Sequence, residues 1–121
     1  MNRDIEFRGY DGMDWIYGTS INHDKETNTW YMVEHGAPED DWVMVGEIGQ
    51  FTGLKDKKGK KIYEDDYIVN DRGTLLTVTF VDGAFYAEGT DVLSGTHVFS
   101  NLSDFSSWSE VNGNNHDDQR D

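Results

Sequence analysis

The dipeptide Asp82-Gly83 constrains the fold of this chain more than any other feature of its sequence. It stands between Leu75–Val81 and the apolar run Ala84–Ala87. In the first run Leu76, Val78 and Phe80 alternate with Thr77 and Thr79, a period of two that sorts them onto opposite faces of a strand. A two-residue Asp-Gly loop between such runs is the strongest short hairpin signal, because glycine accepts the φ that a type I′ turn demands. No long apolar pattern at helical period competes with it.

The rest of the chain repeats the theme with weaker signals. Ile5–Arg8 alternates apolar and polar residues and ends at the turn Asp11-Gly12. Trp15–Tyr17, Thr29–Glu34, Trp42–Val45, Ile48–Thr52, Tyr67–Val69 and Thr96–Phe99 read as further strands, with Asp71–Gly73 a turn. Glu110-Val111 closes the series, and Asp104–Trp108 reads as a helical turn or a loop. The polar stretch Ile21–Thr29 reads as a loop, and the segment His35–Asp41, with Gly36 and Pro38, as a loop or one helical turn. The chain has 121 residues, the size of one domain, and 13% of them are aromatic, enough to build a core without cross-links. A single domain is expected over 1–111, with a soft seam near 36–47. Residues 112–121 offer nothing to bury and are expected to form a mobile tail. The reading is mostly β, its short, closely spaced C-terminal strands suggesting a small barrel or twisted sheet.

There is no cysteine, which excludes disulfides and cysteine-based zinc sites and fits a reducing cytosol. The opening Met1–Glu6 lacks the apolar stretch of a signal peptide, and no apolar run approaches a membrane span. The expected location is the cytoplasm, without a membrane partner. A formal net charge of −14 opposes nucleic acid as the main partner. The bases are unevenly placed: Lys55, Lys57, Lys58, Lys60 and Lys61 supply five of the ten.

That basic cluster lies inside the most distinctive stretch of the chain, Gly49-Gln50-Phe51-Thr52-Gly53-Leu54-Lys55-Asp56-Lys57-Lys58-Gly59-Lys60-Lys61-Ile62-Tyr63-Glu64-Asp65-Asp66. It resembles the signature of the YopX family of phage and prophage proteins, roughly Gln-Phe-Thr-Gly-Leu-x-Asp-Lys-x-Gly-x-x-Ile-Tyr-Glu-Gly-Asp. Asn2–Arg8 is similar to the family's opening and Glu110–Asp117 to its ending. Asp65 stands where the family has glycine, and Asp tolerates the left-handed conformation that the turn needs. Asn112 and Asn115 replace apolar residues of the usual ending. The resemblance implies a small N-terminal β region followed by a C-terminal SH3-like barrel, in the cytoplasm of a bacterial host. It implies no reaction and no catalytic residues. Phe51, Gly53, Leu54, Asp56, Gly59, Ile62, Tyr63 and Asp66 carry the motif and are expected to be structural.

The candidate chemistry is sparse. Glu64-Asp65-Asp66 offers oxygen ligands for a hard cation, but strand neighbours point to opposite faces and the run lacks EF-hand spacing, so a solvated turn is the favoured reading. Glu39-Asp40-Asp41 reads as the first turn of a short helix, where acids suit the dipole. His23, His35, His97 and His116 share no metal spacing. The serines from Ser94 to Ser109 form no nucleophile elbow. No catalytic residue, metal or cofactor is expected, and the chain is read as not an enzyme. The lysines Lys55, Lys57, Lys58, Lys60 and Lys61 form a candidate binding loop, for phosphates or for the acidic surface of a second copy, against the simpler reading of a solvated hairpin tip. Trp15, Trp30, Trp42, Trp108, Tyr63 and Phe85 are expected to be mostly core, with some free to line a shallow groove. The leading expectation is a non-enzymatic module that binds a host or phage protein or assembles with itself. The alternative is a role linked to nucleic acid, by direct contact through Lys55–Lys61 or by mimicry of DNA through the acidic body.

Overall fold

The computed structural model describes residues 5–91 and 93–114. The chain is mostly β, with antiparallel pairing throughout, and it divides into two compact units between Phe51 and Thr52. That divide lies past the 36–47 stretch to which the sequence points for a seam.

The first unit contains β1 (Phe7–Tyr10), β2 (Trp15–Gly18), β3 (Ser20–Asp24), β4 (Thr29–Val33) and the front of β5 (Val43–Lys55), in the order β2-β1-β5-β4-β3. Thr19 alone separates β2 from β3. One extended run therefore lies against β1 with its first half and against β4 with its second. The crossing requires glycine at position 18, where a Cβ would run into the carbonyl oxygen of Val33. Ile16, Met32 and Val45 form the core, and Phe7, Ile21, Trp30, Val43 and Ile48 pack against them.

Two sequence readings change here. Ile21–Thr29 is not all loop, because residues 20–24 form β3. The β4 partner supplies the ladder hydrogen bonds, Ile21 lies opposite Met32, and His23 stacks on Trp30 at 4.1 Å. Trp42–Val45 and Ile48–Thr52 are not separate pieces either. They belong to the single strand β5, which absorbs an irregularity against β1 and a positive φ of 34° at Glu47.

The second unit begins with the end of β5, which pairs with β6 (Lys61–Tyr63). Then come β7 (Asp66–Val69), β8 (Leu75–Val81), β9 (Ala84–Thr90), β10 (His97–Asn101) and β11 (Glu110–Asn114), in the sheet order β10-β9-β8-β7-β11. Asp82 and Gly83 join β8 to β9 at φ of 49° and 84°, both positive, as a type I′ turn needs. Ile62, Ile68, Leu76, Val78, Ala87 and Leu102 form the core. Phe80 shares the face of Leu76 and Val78 but lies near the hairpin end and is about half exposed. Two 3-10 turns, Leu102–Asp104 and Ser106–Trp108, connect β10 to β11.

The SH3-like barrel implied by the resemblance is not seen as a closed barrel. Strands β10 and β11 end the sheet, and no pairing among the described residues joins them. β11 also runs through Asn114, so Asn112–Asn114 lie in the sheet and not in the expected tail. The remainder of that tail, 115–121, lies outside the described residues, with His116 among them.

Candidate functional site

The motif stretch folds as a hairpin governed by one carboxylate. Asp56 leaves β5, and its Oδ1 accepts the backbone N–H groups of Lys58 and Lys60, each at 2.9 Å. Its Oδ2 accepts the N–H of Val111, at 2.9 Å, from β11. Asp56 N–H donates to the Lys60 carbonyl, Gly59 N–H to the Asp56 carbonyl, and Lys57 N–H to the Ser109 carbonyl. One side chain thus closes the turn and fastens it to a strand 55 residues away. Burial pushes this carboxyl up. The N–H donors of Val111, Lys60 and Lys58, with the Lys60 charge, outweigh burial and hold it below the ordinary aspartate value.

The other motif residues have similar local reasons. Gly59 turns the chain at φ 83°. Ile62 is fully buried, and Leu54 packs on the same core. Tyr63 is buried, and its N–H donates to Oδ2 of buried Asp66 at 2.8 Å. Asp65, the glycine position of the signature, has φ 71° and donates its N–H to the Val78 carbonyl. Gly53 has φ 87°, and Phe51 is buried with its N–H on the Glu6 carbonyl.

Two of the five lysines are paired with carboxylates of the chain. Lys57 Nζ lies 3.3 Å from Asp71 Oδ1 and Lys58 Nζ 2.8 Å from Glu110 Oε1. The Glu110 carboxylate raises the Lys58 pKa above the usual lysine value. Lys55 and Lys60 are exposed and Lys61 half-buried. The acidic runs do not gather either. Among the described residues no three His, Asp or Glu side chains converge on a metal position. Pro38–Asp41 closes as a turn, with Asp41 N–H on the Pro38 carbonyl, and not as the first turn of a helix. His35 and His97 sit beside Glu6 and Glu88, at 3.4 and 3.2 Å. A polar hollow of about 420 Å³ is lined by Ser20, Glu34, His35 and Glu39 among others.

The feature that stands out is aromatic. Leu102, Phe105 and Trp108 follow one another at a spacing of three, the repeat at which 3-10 side chains eclipse. Phe105 N–H donates to the Leu102 carbonyl at 2.9 Å and Trp108 N–H to the Phe105 carbonyl at 3.0 Å. The three form a ladder from core to surface. Leu102 is fully buried, Phe105 leans on the core, and Trp108 is 63% exposed. Ser106 and Ser109 are buried on either side of Trp108, and the Ser109 carbonyl accepts the N–H of Lys57 at 3.0 Å. Opposite lies the β7–β8 turn, closed by Asn70 Oδ1, which accepts the N–H groups of Arg72 and Thr74. Between the two lies a shallow groove of about 250 Å³, lined by Asn70, Asp71, Arg72, Asp104, Phe105 and Trp108.

Of the aromatics expected in the core, Tyr63 is buried, and Trp15, Trp30 and Phe85 are half-buried. Trp42 and Trp108 are exposed. The serine-rich context of Trp108 is the only sequence signal that this tryptophan lies outside the core. The ladder itself is a property of the turn geometry and is not visible in the residues.

Over residues 6–120 the sequence matches the family model described as YopX protein. No curated protein matches it. Among solved structures, the crystal structure of protein EF1440 from Enterococcus faecalis is similar, with a TM-score of 0.58 over 98% of each chain and 21% identity. At that identity the likeness is one of fold. No helix among the described residues is long and apolar enough to cross a membrane.

Proposed function

The chain belongs to the YopX family, and from that premise we propose that it is a phage- or prophage-encoded, non-enzymatic module that binds another protein or assembles with itself in the bacterial cytoplasm. The observation that carries the reading is Trp108, exposed beside a groove on a backbone tied by two successive 3-10 hydrogen bonds. Rigid aromatic side chains with water-exposed faces are the commonest anchors of protein contacts. The SH3-like reading of the second unit is part of the proposal. In its support, β7 to β10 form a meander and β11 returns to pair with β7 after a 3-10 turn, the strand order of that architecture. Architecture does not itself license peptide binding, so the weight rests on the groove.

Direct contact with nucleic acid through Lys55–Lys61 has little support, since Lys57 and Lys58 are each paired within the chain. Light scattering on a sizing column, with and without a purified partner identified by pull-down, tests the reading. A stable complex or a homo-oligomer is expected. A monomer that retains no partner at low or high salt overturns it.

A further inference from the structure

We propose that the Trp108 groove receives an extended segment of a partner protein through an arginine, whose guanidinium stacks on the indole of Trp108 and pairs with Asp104. This rests on the protein-binding reading above and names the chemistry of the ligand.

Size argues first. About 250 Å³ lies under the usual range of an enclosed small-molecule site, roughly 300–1,000 Å³. The walls are a β-turn on one side and a 3-10 turn on the other, which suits a narrow chain better than a broad face. Charge argues next. Asp104 is exposed and has no ion-pair partner among the described residues, and it stands on the same turn system as Trp108. Asp71, also exposed, shares its carboxylate with Lys57 at 3.3 Å, and Arg72 is held by Asp91 at 3.1 Å. The two cations near the groove are therefore engaged, and Asp104 is left to receive an incoming one. The chain's net charge of −14 favours a basic partner over an acidic one, and disfavours a second copy of this chain.

Arginine fits better than lysine because its planar guanidinium stacks on an aromatic face while its edge donates to a carboxylate. The platform is already in place. Two successive 3-10 hydrogen bonds, the Lys57 N–H on the Ser109 carbonyl and fully buried Leu102 fix the backbone under the indole, so little ordering remains to be done on binding.

The test is calorimetric titration of the full chain with a blocked eight-residue peptide of alternating proline and arginine, and with its lysine and glutamate counterparts. The arginine peptide is expected to bind at least ten-fold more tightly than the glutamate peptide, and more tightly than the lysine peptide. Trp108→Ala and Asp104→Asn are each expected to weaken it several-fold or more. Trp42→Ala, at an exposed tryptophan of the first unit, is expected to leave it unchanged, and circular dichroism to show all variants folded. No binding of the arginine peptide, equal binding of the glutamate peptide, or indifference to Trp108→Ala overturns the inference. If Trp108→Ala still retains a purified partner as the unaltered chain does, this inference falls while the protein-binding reading stands. If Trp108→Ala dissolves a homo-oligomer that ignores the arginine peptide, the occupant is a second copy and the inference is again wrong.

Discussion

Asp56 shows how a charged residue inside a basic loop can be a structural element. Its two oxygens satisfy three backbone donors, one of them on β11. Asp56→Asn leaves one good acceptor and turns an amide donor toward groups that also donate. The expected cost is about 1–3 kcal/mol, the range for stranding a buried polar group, read from the midpoint of urea unfolding. The pH dependence has a definite sign. The native pKa lies below that of the unfolded chain, so the stabilisation is complete above about pH 4, the unfolded aspartate value. It is lost as pH falls through the lowered native pKa, where the gap between the unaltered protein and Asp56→Asn should shrink. A gap that stays constant across that range would show that the charge is not what matters. Asp65 makes a second case. Its φ of 71° suits Gly, Asn or Asp, so Asp65→Val is expected to cost about 1–2 kcal/mol by forcing a branched side chain into the left-handed region. Its unfolding midpoint reads this directly.

At the scale of elements, close approach decides what the chain tolerates. β2 and β3 cross onto β4 at Gly18, where a Cβ meets the backbone oxygen of Val33 and no side chain is available to move aside. Gly18→Ala should cost about 1–3 kcal/mol, as overpacking commonly does, and lower the thermal midpoint by several degrees. If the midpoint does not move, the two strands separate more easily than the register indicates.

Gly18 also marks the limit of what the sequence discloses. Strands with strong local chemistry were legible: β8 and β9 around Asp82-Gly83, and β4 with its run of aromatic and branched residues. β3 was not, because Ser20, Asn22 and Asp24 carry no strand signal and the segment is held by pairing with β4. The motif residues were legible as a continuous stretch, Gly49 to Asp66. The partnership of Asp56 with Val111 was not, since nothing local in either segment points to the other. By its sequence Trp108 belongs with the aromatics expected to be mostly core, and it is exposed. That it is exposed depends on the second 3-10 turn, whose spacing of three carries the row from Leu102 outward to the surface.

Across the whole molecule, the excess of acidic side chains governs behaviour. With a net charge of −14 the folded chain repels itself, so added salt should raise its thermal midpoint by screening that repulsion. A scan between low and high sodium chloride measures it. The same charge bears on nucleic acid. A cation contributes to phosphate binding by releasing counterions, and a lysine already held by a carboxylate must first give up that partner. Lys57 and Lys58 have such partners in Asp71 and Glu110, and the remaining lysines face the field of the whole acidic chain. Duplex DNA should therefore show no gel shift even at low salt, where electrostatic binding is strongest. A shift that appears there and fades as salt rises would mean that the lysines release their carboxylates to phosphate, and would return the Lys55–Lys61 hairpin to the centre of the functional question. Its absence leaves the basic hairpin as a fastening between the end of β5 and β11, with binding left to the aromatic groove on the same unit.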